Sequence, residues 1–177
     1  MLEFETKRLR LIPLDLEQLK LLNDDSKKFE EKLGLKETDT PPDEKDIQKL
    51  KEACRIWITK VSEDEGNYLW YTNWEIVLKE ENRRIGGFCF YGMPDVRGEV
   101  QIGYMIHPEY QGKGYLTEAL RTFVKWAFSQ PHVASIKTET PKYDIPLHRI
   151  LEKVGMRIRG ETGETIWWRR VKEDKKL

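Results

Sequence analysis

A glycine-rich junction between a strand and a helix is the feature of this sequence that most restricts its fold. The stretch GEVQIGYMIH, residues 98–107, alternates apolar and polar side chains, which predicts a strand. The segment YQGKGYLTEAL follows at 110–120 and opens a helix with an apolar face, expected to run from Lys113 to about Ser129. The fold must therefore place the carboxyl end of a strand close to the amino end of a helix.

The start of this helix has the chemistry of an anion site. The first amide N–H groups of a helix have no partner within the helix, and the helix dipole adds partial positive charge there. Gly112 and Gly114 carry no side chain that would block an anion, and Lys113 adds a positive charge at the rim. A P-loop and a dinucleotide motif both fail, because His107 and Thr117 stand where those motifs require glycine. On these residues alone, a glycine-rich connection without a ligand is the alternative.

Composition and cysteine spacing bear on the class of protein. The 31 basic and 31 acidic side chains cancel, which argues against a nucleic-acid binder that works by neutralising phosphates. Cys54 and Cys89 form no C-x-x-C pair, so we expect two core cysteines, no disulfide and no metal site. The N-terminus lacks a signal-peptide pattern and no apolar run could span a bilayer, so we expect a cytoplasmic protein without a membrane partner.

The order of predicted elements is that of one α/β domain, residues 1–177, with a mixed sheet. Besides the strand and helix above, the pattern predicts a strand at 3–12, helices at 15–22, up to 33 and from Thr40–Pro42 to 61, a hairpin at 68–92, a strand at 133–139, a helix at 144–154 and a hairpin at 156–171. The tail after residue 171 is expected to be frayed.

Three segments carry a family resemblance. IGYMIHPEYQGKGYLTEAL resembles the acetyl-CoA-binding motif Q/R-x-x-G-x-G/A of the GNAT superfamily of N-acetyltransferases, and DIPLHRILEKVGMRIRG resembles its second motif. The opening ETKRLRLIPL resembles the branch that includes ribosomal-protein N-terminal acetyltransferases. The resemblance implies a GNAT-like fold, with a mixed, mostly antiparallel central sheet of about six to seven strands flanked by helices. It also implies transfer of an acetyl group from acetyl-CoA to a primary amine, on a protein N-terminus or a small molecule.

The same resemblance implies how acetyl-CoA is held. Met105 and Ile106 would hydrogen-bond the pantetheine arm like an added strand, and the strand that carries them would splay from its neighbour. Asp144 stands where an asparagine of the family often contacts the cofactor arm. The pyrophosphate would be wrapped by backbone amides of the loop, at Gln111, Gly112, Lys113, Gly114, Tyr115 and Leu116.

Four positions depart from the family pattern. Leu116 replaces a small residue, Leu147 replaces a serine, and Leu151 replaces a tyrosine that in many relatives protonates the leaving thiolate. Gln101 stands where relatives have glutamate. These departures leave open an alternative function, a protein of the same fold that binds acyl-CoA but catalyses little.

Acetyl transfer needs a neutral amine, so some group must accept a proton. Our first candidate is Glu99, which shares a strand face with Gln101 and could order a water beside it; the alternative is a solvated glutamate at a strand start. Gln101 cannot act as a base but can hold that water or the amine. His148 either reaches the thioester or pairs with a neighbour such as Asp144. An exposed edge strand would permit a homodimer.

Overall fold

The computed structural model of the chain describes residues 2–38 and 43–173. The predicted helix start at Thr40–Pro42 and the end of the predicted tail, 174–177, lie outside the described residues. The described helices are α1 (Leu16–Asp24), α2 (Ser26–Lys32), α3 (Glu44–Glu63), α4 (Tyr115–Ser129) and α5 (Ile145–Lys153). The described strands are β1 (Phe4–Glu5), β2 (Leu9–Pro13), β3 (Asn73–Leu78), β4 (Arg83–Phe90), β5 (Glu99–Ile106), β6 (Ser135–Pro141), β7 (Arg157–Thr162) and β8 (Thr165–Val171).

The chain divides into two compact units, Met1–Phe90 and Tyr91–Leu177. The first unit holds four antiparallel neighbours in the order β1, β2, β3, β4. Helix α1 begins as the sequence predicts, because Asp15 and Gln18 form a capping box in which each side chain accepts from the other residue's amide, at 2.8 and 2.9 Å. Apolar residues of α1, α2 and α3 then bury a common core that includes Leu19, Phe29 and Cys54.

Two predicted elements of this unit differ from the structure. The single strand expected at 3–12 is divided into β1 and β2, which pair antiparallel with Phe4 opposite Leu11. The hairpin was expected to begin at residue 68, but residues Glu65–Trp70 form a 3₁₀ helix and β3 begins at Asn73. Trp70 is buried against Phe90, with ring centroids 4.6 Å apart. A short aromatic run fits the period of a strand and the period of a tight helical turn equally well, so its pattern could not separate them.

The second unit holds the strand order β5, β6, β8, β7, in which β5 and β6 are parallel and the other neighbours are antiparallel. One face of these strands is buried, and it carries Ile136 and Trp168; the ring of Trp168 contacts His148 of α5. The opposite face carries Lys137 and Arg169, which are direct cross-strand partners. We call this second surface the open face. It carries the polar side chains of β5 as well, because side chains alternate along a strand.

The described residues contain eight strands, more than the six to seven expected.

Cys54 and Cys89 are free and buried, as predicted. Among residues 2–38 and 43–173, no helix combines the length and apolarity needed to cross a membrane. The same residues contain no cluster of three or more His, Cys, Asp or Glu side chains that could hold a metal ion.

Candidate active site

A slot opens between β5 and β6. Their parallel pairing covers only Glu99–Gln101 against Ser135–Lys137, followed by a hydrogen bond of 2.9 Å from the Thr138 hydroxyl to the Ile102 carbonyl. Both strands continue beyond this point, to Ile106 and Pro141, without further paired residues between them. The two strands therefore separate toward their carboxyl ends and leave backbone groups of β5 unpaired along one edge.

Backbone alternation shows which residues of β5 face this slot. Along a strand, the N–H and C=O groups of successive residues point to opposite edges. Gln101 directs its carbonyl to the edge where it accepts from the Tyr91 N–H at 3.0 Å, and Ile102 directs its carbonyl toward β6. Tyr104 and Ile106 therefore face the slot. Sequence reasoning named Ile106 but missed Tyr104.

Met105 lies on the opposite edge and the opposite face of β5 from Ile106. Its backbone groups follow the edge of Gln101, away from the slot, and its side chain is 56% exposed on the open face. The predicted backbone bond from Met105 to the cofactor arm stays a prediction, and the alternation favours Tyr104 and Ile106 for that role.

The loop after β5 presents backbone amides at the same end of the strand. Gly112 and Gly114 have φ angles of +73° and +81°, which L side chains rarely adopt, and Gly114 is the N-cap of α4. A Cβ added at Gly112 would have no protein atom within 4 Å. The Gln111 side chain donates to the Ile106 carbonyl at 3.2 Å, and the Lys113 ammonium lies 5.4 Å from the centre of the Tyr110 ring. A helix start without a capping side chain, beside open space and a cation, suits an anion.

The side chain of Leu116 points away from this helix start. It is only 6% exposed and belongs to the apolar face of α4, together with Leu120 and Phe123. The substitution of a small residue by leucine therefore fills core space and leaves the loop amides accessible. Leu116 is therefore no longer among the departures that leave open a binding module with little catalysis, whereas Leu147, Leu151 and Gln101 remain.

Asp144 lies at the matching position after β6. Its carboxylate caps α5 by accepting from the Leu147 N–H at 3.1 Å. Because β5 and β6 are parallel, their carboxyl ends lie at one edge, and α4 and α5 both begin there. The structure thus brings Ile106, the 111–116 loop and Asp144 to the same edge of the unit.

A buried phenol also lies near this edge. Burial raises the pKa of Tyr104 above its ordinary value, a contact with Thr138 lowers it by less, and the charge of Asp144 adds to the rise. Tyr104 therefore stays protonated across the neutral pH range. Leu151 occupies the place of the family's tyrosine. It is a fully buried hydrocarbon side chain, so it has no proton to donate.

Glu99 lies at the opposite end of β5 from the loop. Its carboxylate is 3.1 Å from the Lys137 ammonium and 2.7 Å from the Arg169 guanidinium, and it accepts from the Ser135 hydroxyl at 3.1 Å. Burial raises the pKa of Glu99, but the hydrogen bonds from Lys137 and Ser135 and the charges of Lys137 and Arg169 outweigh it, so the pKa lies below its ordinary value. Glu99 is therefore ionised at neutral pH and is a weak base.

The predicted catalytic pair is separated from the predicted cofactor residues along the strand. Gln101 lies four residues before Met105 and Glu99 lies six before it, or roughly 13 and 20 Å at the rise of a strand. The role of Glu99 as base stays a prediction, and any proton that it accepts from an amine near Met105 must pass through water. His148 is held elsewhere, since its Nε2 lies 2.9 Å from the Pro141 carbonyl and so carries the proton.

Comparison with known proteins identifies the family. The family model of the Acetyltransferase (GNAT) domain matches residues 8–157, and the chain belongs to this family of N-acetyltransferases. The uncharacterized N-acetyltransferase YjdG of Bacillus subtilis is 27% identical over 168 residues, which cover 95% of this chain and 97% of YjdG. The uncharacterized N-acetyltransferase YnaD of the same organism is 31% identical over 100 residues, 52% of this chain and 57% of YnaD.

Solved structures share the fold. The ribosomal-protein-S5-alanine acetyltransferase from Vibrio fischeri superposes with a TM-score of 0.70 at 17% identity, covering 100% of both chains. RimL, a ribosomal L7/L12 alpha-N-protein acetyltransferase solved in complex with coenzyme A, gives a TM-score of 0.65 at 12% identity over 94% of this chain and 95% of RimL. The predicted GNAT fold is confirmed.

Proposed function

We propose that this N-acetyltransferase moves the acetyl group of acetyl-CoA to a primary α-amine, on a protein N-terminus or a small molecule, by direct attack on the thioester. The observation that carries the proposal is the slot between β5 and β6, which opens where α4 and α5 begin. An extended pantetheine arm suits an unpaired strand edge, and a pyrophosphate suits a helix start with no capping side chain.

Different residues around the slot would bind different parts of acetyl-CoA. Backbone amides of Gln111–Leu116 would bind the pyrophosphate, and Lys113 would add charge at its rim. Slot-facing amides of β5, at Tyr104 and Ile106, would bond the pantetheine arm and then the carbonyl oxygen as negative charge develops on it. Asp144 would fix the start of α5 beside the arm.

The weak basicity of Glu99 favours an α-amine over a lysine side chain as the acceptor. An α-amine with a pKa near 7.7–8.0 is about 10–15% neutral at pH 7, whereas a lysine with a pKa near 10.4 is only about 0.04% neutral. A site with a weak base must take its nucleophile already deprotonated from solution. The roughly 300-fold difference in neutral amine therefore decides between these two acceptors.

The CoA thiolate is a good leaving group and needs little acid catalysis from the site. A thiolate with a pKa near ~8.5 departs without a strong acid, so the loss of the family's tyrosine at Leu151 does not prevent turnover. Tyr104 of β5, whose phenol senses the charge of Asp144 at the start of α5, would donate a hydrogen bond to the sulfur as the bond breaks, and the thiolate would then take its proton from solvent. Gln101 would hold the amine or a water on the open face.

The pH dependence of the reaction should follow the acceptor. We expect kcat/KM for a peptide acceptor to rise from about pH 6 and to level off above about pH 8, because the α-amine titrates there. Glu99 should add no inflection above about pH 5, since its lowered pKa keeps it ionised throughout. The Glu99→Gln variant should lose at most about tenfold in kcat/KM, less than the ~100-fold at the low end for a strong general base.

The matched control for that variant is Glu139→Gln. Glu139 is an exposed carboxylate on the open face of β6, paired across the sheet with Trp167. It should leave the pH profile and kcat/KM within about twofold of the wild type. An inflection between about pH 5.5 and 7 that disappears only in Glu99→Gln would show instead that Glu99 is a base with a raised pKa.

Binding and transfer test the proposed function directly. Isothermal titration with acetyl-CoA and with CoA should give saturable binding with a Kd of about 1–100 µM, in the usual range for enzyme substrates. ATP and inorganic phosphate serve as controls and should bind far more weakly, since they lack the pantetheine arm. A peptide with a free N-terminus should gain one acetyl group by mass spectrometry, and the same peptide with a blocked N-terminus and an internal lysine should not. Absence of both CoA binding and transfer would contradict the function.

A further inference from the structure

A cavity lies on the open face, apart from the slot and the helix starts described above. Its volume is ≈ 250 Å³. Its walls come from the 91–98 loop, β5, β6 and the β7–β8 hairpin. The lining residues are Arg97, Glu99, Lys137, Arg159, Trp167, Trp168 and Arg169. We call it the cationic cavity, because four of its side chains are positive and one is negative.

Sheet register explains why positive charge collects here. Gln101 of β5 pairs with Lys137 of β6, which pairs with Arg169 of β8, so these side chains form one row on the open face. The single carboxylate, Glu99, is shared between Lys137 and Arg169. It compensates one of their two charges and holds both side chains in place.

The two cations at the rim are less compensated. Arg159 is exposed, and among the residues that the structure describes no carboxylate lies within salt-bridge distance of it. Arg97 is also exposed, and its charge interacts with that of Asp95, whose carboxylate accepts from the backbone amides of Arg97 and Glu99. The cavity therefore keeps a net positive charge, and guanidinium groups pair well with carboxylates.

The cationic cavity lies on the side of the sheet where the acceptor would approach. Gln101 and Met105 project onto the same open face as Lys137 and Arg169. Lys137 is level with Gln101, roughly 13 Å along β5 from Met105, and Glu99 is roughly 20 Å from it. An extended peptide covers about 3.3–3.6 Å per residue, so a chain whose amine is at Met105 reaches the cavity with its fourth to sixth residues.

We propose that the cationic cavity binds an acidic side chain at positions four to six of an acceptor peptide, and so selects acidic N-terminal segments for acetylation. This inference rests on the proposed function, because it takes the acceptor amine to be an N-terminus. Arg97 and Arg159 attract the carboxylate, and Trp167 supplies an apolar wall for the peptide beside it. The excess of positive charge disfavours basic segments at the same site.

A peptide series tests the proposal on the full-length enzyme. Three acceptor peptides share every residue except the fifth, which is glutamate, glutamine or lysine. We expect kcat/KM to be about tenfold higher for glutamate than for glutamine and lowest for lysine, with most of the difference in KM, since the contact positions the peptide but takes no part in the chemistry. Raising the salt from about 50 to 200 mM should shrink the advantage of glutamate, because exposed charges are screened.

Two variants locate the selectivity. Arg97→Gln combined with Arg159→Gln should reduce the advantage of glutamate to about twofold or less and leave the Kd for acetyl-CoA unchanged. The control, Lys125→Gln combined with Lys153→Gln, removes the same charge from exposed positions on α4 and α5 and should keep the full advantage. Comparable melting temperatures would show that both proteins are folded.

The outcomes separate this inference from the function beneath it. Equal rates on all three peptides, or an advantage that survives the arginine variant, would overturn the inference while acetylation itself stands. If phosphoethanolamine is acetylated faster than ethanolamine and faster than every peptide, the claim that the cavity binds an acidic peptide side chain is overturned. The cationic cavity would then bind a phosphate group. No acetylation of any amine and no acetyl-CoA binding would overturn the proposed function as well.

Discussion

Replacing Gly112 with valine is expected to raise the Kd for acetyl-CoA about a hundredfold, equivalent to losing one or two charge-assisted hydrogen bonds of about 1.5–3 kcal/mol each. The φ of +73° disfavours a β-branched residue there, and its side chain would project into space that no protein atom occupies within 4 Å. That space is where the phosphates would approach the amides at the start of α4. The cost to folding should be small, about 1–2 kcal/mol, because only backbone strain opposes the substitution.

Gly163 provides a matched control for this variant. It also has a positive φ, +54°, and a Cβ added to it would meet nothing within 4 Å. It lies in the turn between β7 and β8, strands that are separated from β5 by β6 in the order β5, β6, β8, β7. Gly163→Val should therefore show a similar loss of melting temperature with an unchanged Kd, measured by calorimetry. Equal affinity of Gly112→Val and wild type would contradict the placement of the pyrophosphate.

Replacing Arg84 with methionine is expected to lower the free energy of unfolding by about 3–5 kcal/mol. Arg84 donates two hydrogen bonds to the Glu75 carboxylate, at 3.0 and 3.2 Å, and lies 3.4 Å from Glu30. All three side chains are at most 10% exposed. Removing the Arg84 guanidinium leaves the buried carboxylates of Glu75 and Glu30 without their cation. Burying an unpaired charge costs far more free energy than losing an exposed ion pair.

Two further variants check that cause by urea denaturation. Adding Glu75→Gln to Arg84→Met should recover about half of the loss, since an amide at that position is neutral and can still accept from Asn73. Lys28→Met removes an exposed cation that lies 3.7 Å from Asp25, and should change the free energy of unfolding by less than about 0.5 kcal/mol. A loss in Lys28→Met as large as that in Arg84→Met would show that burial is not the reason.

Much of the site was predictable because its signals are local. Glycines at 112 and 114 mark backbone that other residues rarely adopt, and the structure gives both positive φ angles. Asp144 precedes Pro146 at the start of the helix predicted over 144–154, and it caps α5. The apolar face of α4 was also predictable, and Leu116 is buried on it together with Leu120 and Phe123, because side chains three and four residues apart share one side of a helix.

The partners of charged groups were not predictable in the same way. Glu99 was chosen for its position on a strand, yet its chemistry is set by Ser135, Lys137 and Arg169, which lie 36 or more residues away in the chain. The sequence around Glu99 contains no pattern that predicts contacts with those three residues. The same holds for the network of Arg84, Glu75 and Glu30 in the first unit.

The sequence alone determined most of the strands and helices, the cap of α1 at Asp15 and the glycine loop at residues 111–116. These features depend on residues within one or two turns of each other, so the local sequence specifies them without distant partners. Only the tertiary structure decided where β5 leaves β6, that Tyr104 faces the slot, and that four cations share one cavity with Glu99. Those features depend on the register between strands far apart in sequence, and register is set by the whole packed sheet.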